Sequence, residues 1–166
     1  MMTPQADADF AAFVRARQDA LVRFGYFLTG DVQSGEDLAQ TALARLYLKW
    51  DTIRQAEAID AWVRRVMVNE HTSWWRRAWR HREVLDWDGR TRPDLPGPPD
   101  HVPDRDLWAV VQSLPPKQRA AVALRFYEDL SEAQTAAILG CSVGTVKSQT
   151  HRALATLRTR IQEVQA

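Results

Sequence analysis

The chain has 166 residues, 22 Lys and Arg against 21 Asp and Glu, a formal net charge of +1, and one cysteine, Cys141. That length fits one ordinary domain or two small ones, and a lone cysteine excludes an internal disulfide and suits a reducing compartment. No apolar run is long enough to span a bilayer and no signal peptide is visible, so a soluble, cytoplasmic protein is expected.

Residues 1–9, with Pro4 and few apolar anchors, read as disordered. A helical period starts at Phe10 and runs through Phe13, Val14, Leu21, Phe24 and Leu28 until Thr29-Gly30-Asp31 stops it. Gly35-Glu36-Asp37 opens the next helix with Ser34 as cap. Its acids suit the positive dipole end, and Leu38, Ala42, Leu46 and Trp50 share one side. After a connector, Asp51–Glu57, one long helix is expected over Ile59–Arg82, bent near Asn69–Thr72. Residues 64–82 carry six arginines against one acid, Glu70. That imbalance disfavours a merely solvated face and suits a polyanion.

Residues 83–103 hold five of the eight prolines and read as a linker without secondary structure. Stretched out it reaches about 70 Å; as a coil, about 25 Å. Residues 83–106 carry seven acids, so an acidic stretch separates the arginine-rich helix from a second basic patch, Lys147, Arg152, Arg158 and Arg160, which has no acid over 143–160. Residues 104–114 resume as helix. Pro115-Pro116 breaks it and pre-forms the start of the next, over Lys117–Tyr127.

Leu130–Leu157 is the most informative stretch. Ser131 and Gln134 spell a capping box, Gly140 supplies a turn, and Ser142 can cap a second helix. On that helix Val143, Val146, Thr150, Ala153, Leu154, Leu157 and Ile161 form an apolar arc, and Thr145, Lys147, Ser148, His151 and Arg152 project from the other side. Short helix, glycine turn and cationic second helix make a helix-turn-helix pattern suited to the major groove. The bland alternative is a helical hairpin with a solvated polar face.

No strand, repeat or phosphate loop is visible, and the fold class expected is all-α. His71, His81, His101 and His151 are far apart and Cys141 has no second thiol, so no metal site, catalytic residue or cofactor is expected. Cys141 suits packing in the turn.

Three stretches together resemble a known family: Gly35–Tyr47 (G-E-D-L-A-Q-T-A-L-A-R-L-Y), Ala61–Arg77 (A-W-V-R-R-V-M-V-N-E-H-T-S-W-W-R-R) and Leu114–Leu157, with L-P-P-K-Q-R and C-S-V-G-T-V-K-S. In this order they resemble the bacterial RNA polymerase sigma factors of the extracytoplasmic-function (ECF) type. The resemblance implies two small helical domains. Residues 10–82 would be sigma region 2, a helical bundle; 83–103 the flexible linker; and 104–162 sigma region 4, a helix-turn-helix. It implies a non-catalytic protein that binds RNA polymerase core and promoter DNA, with an anti-sigma factor as candidate inhibitor. Asp37, Leu38, Gln40, Thr41, Leu43, Ala44 and Arg45 would meet the polymerase clamp, although Leu38 is equally readable as core and Asp37 and Gln40 as solvated helix residues.

Arg64, Arg65, Asn69, Trp74, Arg76, Arg77 and Arg80 would serve the minus-ten element. Cations hold the backbone, an aromatic replaces lost stacking, and Asn69 stands beside a flipped base or bonds nearby backbone instead. Trp62 and Trp75 are expected in the core; Trp74 or Trp79 faces DNA. Thr145, Lys147, Ser148, His151 and Arg152 would read the minus-thirty-five element, Arg152 by a bidentate bond to guanine; His151 reads equally as a solvated surface histidine. Thr135 replaces a usual aliphatic residue, which implies weaker packing, and Gln149 a common basic one, which implies one phosphate contact fewer. One rival is a helix-turn-helix regulator that is no polymerase subunit, but it leaves Gly35–Trp50 and the arginine-rich helix unexplained. Another is a nucleic-acid-processing enzyme, which would need clustered acids or metal ligands beside the arginines.

Overall fold

The computed structural model describes residues 2–53, 56–86 and 105–165, and these are all-helical. Helix α1 (Pro4–Thr29) starts where the sequence suggested disorder. Thr3 accepts a hydrogen bond from the Ala6 N–H at 3.2 Å, Pro4 occupies the first turn, and Ala6 is buried. A capped start and one buried anchor suffice to order this end. Gly30, at φ 78°, ends α1 by bonding its N–H to the Tyr26 carbonyl.

Helix α2 (Val32–Lys49) is capped by Asp31, not Ser34: the Asp31 carboxylate accepts from the Ser34 N–H at 2.8 Å and from its hydroxyl at 2.7 Å. Gly35 therefore lies inside the helix, and its role is steric. A Cβ on Gly35 would stand 2.6 Å from the Tyr26 nitrogen, and one on Gly25 2.6 Å from the Gly35 carbonyl oxygen. The two glycines let the α1 and α2 backbones touch.

Helix α3 (Ala56–Asp86) runs unbroken through Asn69–Thr72 and beyond Arg82. The Pro-rich linker expected over 83–103 lies, from residue 87 onward, outside the described residues. Helix α4 (Arg105–Gln112) precedes the proline break, and α5 (Pro116–Val122) begins on Pro116. The helix expected to continue to Tyr127 widens into a π turn over Ala123–Tyr127. In α6 (Glu132–Leu139) both bonds of the Ser131–Gln134 capping box are present, and Gly140 adopts φ 67°. Helix α7 (Val143–Gln165) starts with the Ser142 hydroxyl accepting from the Thr145 N–H at 3.1 Å. Val146 and Ala153 are wholly buried, whereas Val143, expected on the same arc, is 39% exposed.

The two halves do not keep separate cores. Leu21, Phe24 and Leu28 of α1, Leu38 and Leu46 of α2 and Met67 of α3 belong to one buried cluster with Ala120, Ala123, Leu124 and Ile138 of the C-terminal half. A smaller cluster of Leu114, Val122 and Ala153 sits beside it. Tyr26 stacks on Trp108 at 4.9 Å and Phe27 on Tyr127 at 5.2 Å. Arg119, buried, donates to the carbonyls of Leu28, Gln112 (2.6 Å) and Leu114 (2.9 Å). Burial pulls its pKa down to about 10, so it stays charged at neutrality. His71 of α3 is also buried, and desolvation, then the Arg119 charge, lowers its pKa to about 4.

Two predictions follow from this core. Thr135 is 0% exposed and its hydroxyl has no partner. Thr135→Val keeps the shape and removes an unsatisfied group costing about 1–3 kcal/mol. Tm should rise by about 2–4 °C per kcal/mol, measured by calorimetry. For His71, both folded and unfolded chains are neutral above pH 6.5, and the stabilisation is complete there. As pH falls toward 4 the unfolded chain takes up a proton that the folded chain refuses, so stability drops, by about 2 kcal/mol between pH 7 and pH 5. Urea unfolding across that window should show this slope, and His71→Gln should flatten it.

Candidate nucleic-acid interface

Helix α7 presents its polar face as the sequence predicts. Thr145, Lys147, Ser148, His151 and Arg152 are all exposed, opposite buried Val146 and Ala153. The face begins at the capped turn, where the Thr145 hydroxyl lies 3.0 Å from that of Ser142. Lys147, Ser148, His151 and Arg152 thus stand in an arc that a groove could receive, with Arg158 and Arg160 exposed farther along.

The residues expected to serve the minus-ten element do not form one surface. Arg65, Asn69, Arg76 and Arg80 fall on one exposed stripe of α3, at spacings that repeat every three to four residues or their sums. Arg64 turns inward. Its guanidinium donates to the Glu128 carboxylate at 2.8 Å, lies 3.8 Å from Asp60, and sits 6.0 Å from the Phe24 ring centroid. Arg65, though exposed, donates to the carbonyl of Ala137 on α6. Trp74 also departs from the expectation of an outward aromatic: it packs against the core and gives its indole N–H to Glu70 at 3.0 Å. Trp79 is the exposed aromatic, 45% accessible, in a tilted pair with Trp75 at 5.2 Å. Trp62 packs against the core as expected, whereas Trp75 is half-buried in that pair and absent from the core clusters.

On α2, Asp37, Gln40, Ala44 and Arg45 are exposed and Thr41 is half-buried, its hydroxyl donating to the Asp37 carbonyl. Leu38 is fully buried and Leu43 nearly so, so both side chains are core here. Of the two readings open for Leu38, packing describes its position. Arg45 reaches across to the Glu70 carboxylate at 2.8 Å, and Arg77 approaches the same carboxylate at 3.7 Å.

Sequence reasoning missed four residues. Leu48, 82% exposed, continues the line of Asp37, Thr41 and Ala44 down α2, an apolar residue legible at i+4 from Ala44. Glu70 and Glu128 join Asp60 in engaging the α3 arginines, and Arg119 joins the halves. No local pattern announces the last two, whose partners stand 64 and 91 residues away in sequence. Among the described residues no group of three or more His, Cys, Asp or Glu side chains could hold a metal, and no helix is long and apolar enough to cross a membrane.

Comparison with known proteins places both halves. Residues 13–81 match the family model for sigma-70 region 2, and residues 104–157 the model for sigma-70 region 4. The chain is 44% identical over 153 residues to an RNA polymerase sigma-E factor of Streptomyces coelicolor, covering 90% of this chain and 84% of that one. It is 34% identical over 171 residues to the ECF sigma factor SigL of Mycobacterium tuberculosis, covering 96% and 94%. Among solved structures it resembles the sigma factor RpoE of Bartonella quintana in complex with the anti-sigma factor NepR. The TM-score is 0.71 at 30% identity, over 93% of this chain and 97% of that one.

Proposed function

Because the chain belongs to the ECF-type RNA polymerase sigma factors, we propose that its three surfaces divide the work of transcription initiation. It is a non-catalytic subunit that binds polymerase core and promoter DNA and directs initiation. The finer assignment is ours. Residues 10–82 act as region 2 and 104–162 as region 4, joined by the segment 83–103. Asp37, Gln40, Thr41, Ala44 and Arg45, with Leu48 at the end of the line, dock the polymerase clamp, while Leu38 and Leu43 support that helix from beneath. Arg65, Asn69, Arg76, Arg77 and Arg80 hold the minus-ten region, and Arg64 joins them when released from Glu128. Trp79 is the aromatic best exposed to replace lost base stacking, with Trp74 buttressing the helix. Thr145, Lys147, Ser148, His151 and Arg152 read the minus-thirty-five element.

One observation carries the reading: the whole predicted recognition set of α7 stands free on a single face behind a capped glycine turn. A helix so presented fits the major groove, where base edges are distinguishable. A cytoplasmic location follows from these partners. The Bartonella relative was solved with an anti-sigma factor, and we extend that kind of inhibitor to this chain.

The test is run-off transcription with purified core on a pool of promoters. Arg152→Ala should relax base preference at one minus-thirty-five position, worth about 1–3 kcal/mol of discrimination. Arg76→Ala should weaken binding across all sequences and flatten its salt dependence. Equal losses on matched and mismatched promoters for Arg152→Ala would refute the assignment of Arg152.

A further inference from the structure

Glu70 is the only acid among residues 64–82, and three side chains converge on its carboxylate. Arg45 of α2 donates to Oε2 at 2.8 Å, the Trp74 indole N–H donates to Oε1 at 3.0 Å, and the Arg77 guanidinium lies 3.7 Å from Oε1. Trp74 and Arg77 stand one and two turns along the same face of α3 from Glu70. Glu70 is therefore held from two helices at once. Its side chain is 16% exposed, whereas those of Arg45 and Arg77 are 51% and 63% exposed. A guanidinium carries its N–H donors in a rigid fork, so an arginine that leans on Glu70 by one edge keeps its other donors toward solvent.

Exposed ion pairs add little to stability; what this network removes is freedom. An arginine already aimed loses less rotamer entropy when it takes a phosphate. Trp74 packs against the core, and its bond to Glu70 fixes the rotation of the ring. Asn69, directly before Glu70, is exposed, and the Glu70–Arg45 bond pins α3 to α2 at that point. We propose that Glu70 is a positioning residue for the minus-ten contacts: it aims Arg77, fixes the Trp74 ring and, through Arg45, sets the roll of α3 that presents Asn69. The inference rests on the assignment of Asn69 and Arg77 to the minus-ten region. Glu70 itself touches no nucleic acid in this role, because a carboxylate repels phosphate and this one faces α2 and its own helix. Arg45, on α2, thereby contributes to promoter selectivity through Glu70.

The experiment uses holoenzyme, with core polymerase in excess so that docking does not limit. The templates are the most active promoter of the run-off pool and copies with single minus-ten bases changed. Strand opening is read by permanganate reactivity of unpaired thymines, as the ratio of matched to changed template, and Tm is measured alongside. Glu70→Gln and Arg45→Gln shift the net charge in opposite directions but break the same contact. Both should lower the ratio by about tenfold, the size of one lost base preference, with little change in Tm. Adding Glu70→Gln to Arg77→Ala should cost less than Glu70→Gln alone. If Asn69→Ala and Arg77→Ala leave opening unchanged on every template, the minus-ten assignment itself falls. If they impair opening while Glu70→Gln and Arg45→Gln keep the wild-type ratio, the assignment stands and the positioning role is overturned. Ratios that move in opposite directions for those two variants would also overturn it, as an effect of charge alone. So would a fall in the ratio confined to variants whose Tm falls with it.

Discussion

A single buried guanidinium ties the two halves of this molecule together. Arg119 enters from the first turns of α5 and donates to the carbonyl of Leu28, near the end of α1, and to those of Gln112 and Leu114, at and just past the end of α4. Each helix leaves its last carbonyls without intrahelical partners, and its C-terminal end carries partial negative charge. Neither α1 nor α4 has a basic residue in its own last turn. One arginine on a third helix thus supplies the cation and the donors for both. A charge this deeply placed costs several kcal/mol unless it is hydrogen-bonded; the terminal nitrogens make all three bonds while Nε has no partner, so the helix ends that accept them are held where they are once Arg119 is seated. The position of α4 and α5 against α1, and through them of the shared core, follows from that constraint.

Helix α3 meets a different neighbour on each of its faces. Val63, Met67 and His71 point into the core, Arg64 lies on the flank against the C-terminal half, and Arg65, Asn69, Arg76 and Arg80 look outward. Glu70 and Arg77 border the side next to α2, where Arg45 joins them. A helix of 31 residues has room for three neighbours because successive residues turn by about 100°. Its length, unusual for a small domain, lets one element turn a buried face to the core, a flank to the C-terminal half and a cationic stripe to solvent.

The parts legible in the sequence were those governed by near neighbours. The Ser131–Gln134 capping box, the glycine turn at Gly140 and, Val143 apart, the division of α7 into buried and exposed faces depend on residues three or four positions apart, and they stand as read. Local chemistry misled where tertiary contact decided. Gly35 resembles a helix start but lies where two backbones touch, and Ser34 resembles a cap but bonds to the true cap, Asp31. Thr3 and Ala6 order an end whose composition suggested disorder. At the candidate site, the five α7 residues were found whole. The α3 set came apart because composition reports how many arginines a helix holds and not which of them a distant carboxylate has claimed. Trp74 and Trp79 show the same limit, since only the packing of α3 decides which ring is covered.

The near-zero net charge now has a physical meaning. A nucleic-acid-binding chain with +1 overall is not weakly cationic everywhere; it is cationic in patches whose charge is partly cancelled from within. Glu128 faces Arg64, and Glu70 faces Arg45 and Arg77, so acids stand at two edges of the arginine-rich helix. An exposed pair of this kind contributes little to stability, so stability alone does not explain Glu70, which lies between two largely exposed arginines. Its electrostatic effect is local: it offsets the charge of Arg45 and Arg77, while Arg76 and Arg80 remain exposed on the outward stripe.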